Sequence, residues 1–338
     1  MKFLLIRLSS IGDIVLTTPV IRCLKHQVAT AEIHFLTKHS FHSIVESNPN
    51  IDKVHYLQHD LDEVIRILQQ EDFDYVIDLH HNLRTLKIKR ALKKKSFSFH
   101  KLNLQKWLLT VFKVNTLPAT HIVQRYLQTV SSFGVKDDGA GLDYFIPEKD
   151  RISEKDIPAS HHAGYIGVVI GAAHATKQLP VAKLQELCKQ IDHPVILLGG
   201  KEDAMNGDLI AASDPGKIYN ACGRFSLNES ADLVQRSRLI ITHDTGLMHI
   251  AAAFRKPVLS VWGNTVPVFG MYTYYGRTQN DLNLHDLYEV RGLYCRPCSK
   301  IGYRKCPLGH FKCMNNQDIQ GMIRRIHERL GKVVQAEN

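Results

Sequence analysis

Residues 7–19 read RLSSIGDIVLTTP and follow directly on the apolar run Phe3–Ile6. A short apolar strand, a Ser-Ser-Ile-Gly turn and a helix-like pattern open a Rossmann-type unit. The dinucleotide glycine pattern is missing, however. The turn carries a single glycine, Gly12, and places a carboxylate, Asp13, directly behind it. A phosphate-binding turn has no use for negative charge at that point. The stretch therefore poses a chemical question as well as a structural one.

Outward from this turn, two α/β series can be read. In the first, FLLI, AEIHFLT, KVHYL and DYVIDL are strands, alternating with helices at Thr18–Gln27, around Phe41–Glu46 and at Leu61–Gln70. A basic segment and a helix around His121–Phe133 close this half, with Gly134 as its stop. Residues 135–160, rich in Asp, Gly and Pro, read as a linker. The second series places strands at YIGVVIGA, PVILLGG, IYNAC, RLIITHD and PVLSVWG, with helices between them. The pattern predicts an α/β protein of two Rossmann-like, doubly wound domains facing a central cleft: 1–150, 151–315, and a C-terminal helix at 316–338.

Composition agrees with a globular chain: of 338 residues, 44% are hydrophobic and 22% charged. No apolar run approaches the roughly 20 residues of a membrane span. The N-terminal run is broken by Arg7, so a strand of a cytoplasmic protein is expected there rather than a signal peptide. The formal charge is +10, much of it in residues 87–113, where cations crowd between Lys87 and Lys95 ahead of Trp107, Leu108, Leu109, Val111 and Phe112. A basic segment beside an apolar one suits peripheral contact with an anionic membrane surface or a phosphorylated substrate. A solvated helix face is the plain alternative. No RNA-binding aromatic signature or DNA-reading zinc finger is present, which ranks nucleic acid last.

Ligands of open parallel sheets lie beyond the carboxyl ends of the strands, and three unusual loops fall there: SSIGD, GAAHATKQLP and HDTGLMH. Asp244-Thr245-Gly246 turns the chain into a helix whose free amides and positive dipole end suit a diphosphate. Asp244 can equally cap that helix, and His249 can face core or cleft. Lys177 stands just before a helix, where a cation gains from an anionic ligand; Thr176 is a phosphate or sugar contact. Glu202, after PVILL, can bond ribose hydroxyls or be a surface acid. Inverting sugar transfer from a nucleotide donor needs a base for the acceptor hydroxyl and electrostatic support for the departing diphosphate. Asp13 in one half and the amides and lysine in the other suit those roles, with helix capping as the competing role for Asp13.

RLSSIGDIVLTTP together with THDTGLMHIAAAFRKPVLSVWGNT, GAAHATKQLP and NACGRFSLNESADLVQRSRLIIT resembles glycosyltransferase family 9, the ADP-heptose:lipopolysaccharide heptosyltransferases. The likeness runs in order over nearly the whole chain. It implies a metal-independent, inverting GT-B enzyme, with an ADP-sugar donor in the C-terminal half and a lipid-linked acceptor in the N-terminal half. The family's catalytic base falls on Asp13 and its diphosphate lysine on Lys177. Its donor contacts fall on Asp244, Thr245, Gly246 and His249, and less securely on Thr176. Arg7, Ser9, Ser10 and Gly12 would line the acceptor side, joined by His80, Asn82 and Arg84 of HHNLRT. The better-known members carry an aromatic residue where Leu179 stands. The acceptor so implied is phosphorylated and lies at the inner leaflet. By analogy with this architecture, the C-terminal helix is expected to return to the first half.

Cys295, Cys298, Cys306 and Cys313 are spaced C-x2-C-x7-C-x6-C. Such a set can hold one structural Zn²⁺, with His310 as a substitute ligand. Reduced thiols packing the loop are the alternative, and no cofactor is expected in catalysis. Two further functional classes fit the composition: a nucleotide-sugar epimerase or hydrolase on the same scaffold, and a non-catalytic protein binding anionic glycolipid.

Overall fold

The structure, a computed structural model, describes residues 1–276 and 283–336. Five parallel strands form the first sheet: β1 (Lys2–Ile6), β2 (Glu32–Lys38), β3 (Lys53–Leu57), β4 (Tyr75–Asp78) and β5 (Lys95–Ser98). Their order is β3-β2-β1-β4-β5, and Phe3 sits between Ile33 and Tyr75 in register. The second sheet comprises β6 (Ile166–Val169), β7 (Val195–Leu198), β8 (Ile218–Asn220), β9 (Leu239–His243), β10 (Val258–Trp262) and β11 (His285–Glu289). It runs β11-β10-β9-β6-β7-β8, again wholly parallel. Covered on both faces, these strands are near-continuous runs of buried Val, Ile and Leu, as parallel sheets require.

Strand order reverses between β1 and β4 in one half and between β6 and β9 in the other. The crevice beyond those switch points is where such sheets take ligands. The loops after β1, β4, β6 and β9 open there: residues 7–10, 79–82, 170–177 and 244–245. The fold is thus α/β, with two doubly wound Rossmann-like halves in the GT-B arrangement. The 135–160 segment straps them together. Arg22 bonds Asp138 and Asp143 on one side, and Arg151 pairs with the buried Asp232 at 2.6 Å on the other.

The C-terminal helix, Ile319–Ala336, packs on the second half, in place of the expected return to the first. Ile319, Met322, Ile323, Ile326 and Leu330 form one stripe, buried with Leu184, Leu187 and Leu259. Arg325 and Arg329 fix the pose on Asp286 of β11, at 2.8 and 2.5 Å. Its single apolar stripe is taken up by this core, and the carboxylate of Asp286 waits at its flank. Two strands went unread. β5 is a half-exposed KSFS edge masked by its lysines, and β11 is only partly buried.

Candidate active site

The turn after β1 feeds a short helix, Ile11–Val15, and orients Asp13. The Oδ1 atom of Asp13 meets Arg7 Nη2 at 2.6 Å, and Oδ2 accepts from the Ser10 hydroxyl at 2.8 Å and the Ser10 amide at 3.3 Å. The carboxylate thus caps its own helix through the Ser10 amide while its other oxygen is held by Arg7. Burial pushes Asp13 up, but Arg7 and the Ser10 donors outweigh it, so the group sits below the ordinary carboxylate range. At neutral pH it is an ionised acceptor. Arg7 is buried and itself held by the Ser9 carbonyl at 2.8 Å and the Tyr126 hydroxyl at 2.9 Å, fixing the base-bearing turn.

In the second half, Lys177 Nζ meets Asp244 Oδ2 at 2.6 Å, and Thr265 donates to the same oxygen at 3.0 Å. Asp244 therefore neutralises Lys177 and does not cap the helix. The cap position of the Gly246–Ala253 helix is Thr245, whose hydroxyl bonds Thr242 at 3.1 Å and makes no capping bond. The first amides of that helix are left without a side-chain cap, the state in which a helix end takes an anion.

The two loops meet. A methyl placed on Gly12 would lie 2.5 Å from His249 Cδ2, and one on Gly246 would lie 2.6 Å from Ile11 Cγ2. Glycine is required on both sides because the backbones of two helix starts, one from each half, approach within side-chain contact. His249 is buried at this junction with Nδ1 unpartnered, and burial pushes it down to about 4. It is a neutral imidazole wedged between the Asp13 turn and the Asp244 turn.

On the acceptor side the expectations divide. Burial, reinforced by Arg7 and Lys101, pushes His80 down to about 4, and its buried Nδ1 lacks a partner. Asn82 caps the Leu83–Leu92 helix, its side chain accepting from the Thr85 amide at 3.0 Å. Arg84 is exposed and lines an open cavity of about 550 Å³ with Lys38, His39 and His59, at the ends of β2 and β3. Thr176 stands beside Lys177 in the loop after β6. It is buried, and its hydroxyl is committed to the Tyr303 backbone, accepting from the amide at 2.8 Å and donating to the carbonyl at 3.1 Å. Glu202 is exposed on the turn after β7, while its neighbour Asp203 is buried and caps that turn through the Gly200 amide at 2.9 Å.

The sequence reading missed where the effective positive charge lies. Much of the 87–95 run is neutralised: Lys87 pairs with Asp62, Lys89 with the fully buried Asp78, and Lys94 with Asp72. Lys101, Lys106 and Arg125 have no carboxylate within ion-pair distance among the described residues. Lys106 is pushed down to about 8, chiefly by burial and then by Arg125; both lysines feel the Asp13 carboxylate and the Lys300 ammonium. Arg125 is 4% exposed and its Nε is unpartnered. One buried and two half-buried cations without a carboxylate partner make this part of the cleft a place suited to an anion. The signal was present in the sequence: no Asp or Glu occurs from Leu79 to Lys136.

The four loop cysteines gather but do not close a cage. Cys298 Sγ donates to the Cys295 carbonyl at 3.1 Å, and Cys295 Sγ lies 3.9 Å from His310 Nε2. Among the described residues, the set of three ligand atoms lying mutually within 4.8 Å is His34, His55 and Glu71, away from this loop. There Lys2 and Lys53 already neutralise Glu71. The donor geometry does not support zinc there, which leaves the alternative of reduced thiols packing the loop.

Two Rossmann-like halves, with the Asp13 turn of one meeting the uncapped Gly246 helix of the other, make the GT-B architecture of a glycosyltransferase class. The model of glycosyltransferase family 9 (heptosyltransferase) matches residues 62–288, and the chain belongs to that family. It is 28% identical over 291 residues to lipopolysaccharide heptosyltransferase 1 of Campylobacter coli, covering 78% of this chain and 84% of that one. The family 9 glycosyltransferase of Veillonella parvula superposes with a TM-score of 0.77 at 22% identity, over 98% of this chain and 97% of the other. The Escherichia coli heptosyltransferase WaaC, solved with ADP, gives 0.70 at 18% identity, over 97% and 100%.

Proposed function

We propose that this family 9 enzyme transfers a heptose-like sugar, with inversion and without a metal, from an ADP-linked donor to an anionic, lipid-linked acceptor of the lipopolysaccharide core. The observation carrying this reading is the meeting of the ionised Asp13 with the uncapped Gly246 helix across the cleft. Residues 1–150 take the acceptor and 151–315 the donor. Asp13 removes the proton from the acceptor hydroxyl as its oxygen bonds to the anomeric carbon. The bond from that carbon to the diphosphate breaks, and ADP leaves with the electron pair. Lys177 and the amides of Thr245 and Gly246 stabilise the departing charge, Lys177 exchanging Asp244 for phosphate. Glu202 is placed for the ribose and His249 for the wall between the two substrates. Lys101, Lys106 and Arg125 receive the anionic groups of the acceptor. The names of the relatives support the sugar and the lipopolysaccharide setting, and the ADP seen with the Escherichia coli enzyme supports the nucleotide. The site of action is the cytoplasmic face of the inner membrane; among the described residues, no helix is long and apolar enough to cross it.

Calorimetry with ADP, UDP, GDP and CDP tests this. Selective ADP binding, weakened by roughly tenfold or more in Lys177→Ala as a charge-assisted contact is lost, is the expected result. Preference for another nucleotide removes ADP-heptose, and binding of none removes the enzyme reading.

A further inference from the structure

The Asn103–Val111 helix is amphipathic the wrong way round. Its inward face holds the buried Leu109 against Val266 and Phe269 of the second half, and Lys106 lies over the Phe269 ring at 5.9 Å. Its outward face carries Leu104, Trp107 and Val111, continued by Phe112 and Val114, all at least 45% exposed. Trp107 and Phe112 pack edge to face at 5.1 Å, making one apolar knob in solvent. At the end of the helix, Lys113 reaches across to the second half and donates to the Pro297 carbonyl at 2.8 Å. That contact joins the helix to a loop with exposed Ile301 and Leu308, exposed Arg304 and Lys305 between them, and exposed Lys300 just before them. Neither segment has any acid, from Leu79 to Lys136 or from Val290 to Gln317.

An apolar helix face joined by a hydrogen bond to a loop whose exposed Lys300, Arg304 and Lys305 have no carboxylate partner among the described residues matches an anionic bilayer surface. The apolar tips enter the acyl boundary while lysine and arginine meet lipid phosphates. We propose that the 103–114 segment and the 294–308 loop form one membrane-docking surface that bridges both halves. The inference rests on the lipid-linked acceptor proposed above and deepens it. Lys106, on the inner face of the docking helix, lies within electrostatic reach of Asp13, so a lipid-borne sugar enters the cleft from the membrane beneath it. An acid-free surface matches anionic lipid better than a second copy of this equally basic chain.

The test uses the full chain and vesicles of phosphatidylcholine with or without phosphatidylglycerol. The chain has two tryptophans, and Trp262 is 1% exposed, so a change in emission on docking reports Trp107. The expected result is a blue shift and co-sedimentation with phosphatidylglycerol vesicles, both reduced by salt. Phe112→Asp, and separately the pair Arg304→Glu with Lys305→Glu, should each weaken partition by roughly tenfold or more. ADP affinity should stay unchanged in these variants. Vesicle binding equal to wild type in both variants, or no partition by the wild type, overturns the proposal. A concentration-dependent oligomer dissolved by Phe112→Asp, without vesicle binding, also overturns it in favour of self-association. Failure of ADP to bind the wild type would count against the donor reading alone.

Discussion

Asp13 is held by three donors, and what those donors do to its basicity decides how it can work. A carboxylate below its ordinary range is a weak base, but it is fully ionised whenever an acceptor arrives, and it acts only as the acceptor oxygen loses its proton. Arg7 is a positioning residue in this scheme. Replacing it by glutamine removes the charge that offsets burial, so the Asp13 carboxyl rises. The acid limb of the kcat/KM profile should then move to higher pH in Arg7→Gln. An unmoved limb would mean that Arg7 serves only the fold. Asp13 and Lys177 stood out in the sequence because each follows a strand and precedes a helix. The alternatives of cap or ligand could not be separated there. One helix start turned out to be capped by its own carboxylate, and the other to leave its carboxylate to a lysine 67 residues away in sequence. Asn82 satisfies a neighbouring backbone amide, the local habit of its residue type, while Thr176 bonds the Tyr303 backbone from far along the chain.

At the scale of elements, the two short helices that meet at Gly12 and Gly246 are the hinge of the argument. Gly12→Ala drives a methyl to 2.5 Å from the His249 ring, which is buried and has nowhere to move. Overpacking of this kind costs about 1–3 kcal/mol, so a lowered Tm together with a large loss of turnover is expected. A variant with unaltered Tm and rate would show that the halves are not held in this contact while the enzyme works. Long, periodic elements such as Thr18–Gln27 and Val181–Gln190 could be read to the residue, because one buried stripe dictates each. The C-terminal helix had an equally plain stripe, but a stripe does not say which core receives it; Asp286, distant in sequence, does.

Over the whole molecule, charge and burial set the response to acid. His55, His80, His243, His249 and His285 are each pushed down to about 4 by burial, and His121 to about 3. Unfolded, each would titrate near 6.5. Between those values the unfolded chain holds more protons than the folded one, so stability falls as pH drops through that window and levels off below it. Thermal unfolding should show Tm declining steadily from pH 6.5 to pH 4; a flat Tm there would mean that these imidazoles are open to solvent. The net charge of +10 was visible from composition, but its distribution was not. Lys87, Lys89 and Lys94 of the dense run pair with Asp62, Asp78 and Asp72, whereas Lys101, Lys106 and Arg125 by the cleft have no carboxylate within ion-pair distance among the described residues.

The most direct test of the central claim compares Asp13→Asn with wild type, measuring ADP affinity by calorimetry and heptosyl transfer from ADP-heptose. The amide keeps the shape of the carboxylate and leaves the second half untouched. ADP binding should persist near its wild-type strength while turnover drops by about 10²–10⁴-fold. Turnover close to wild type would leave Asp13 as nothing more than the cap of its helix and contradict the account.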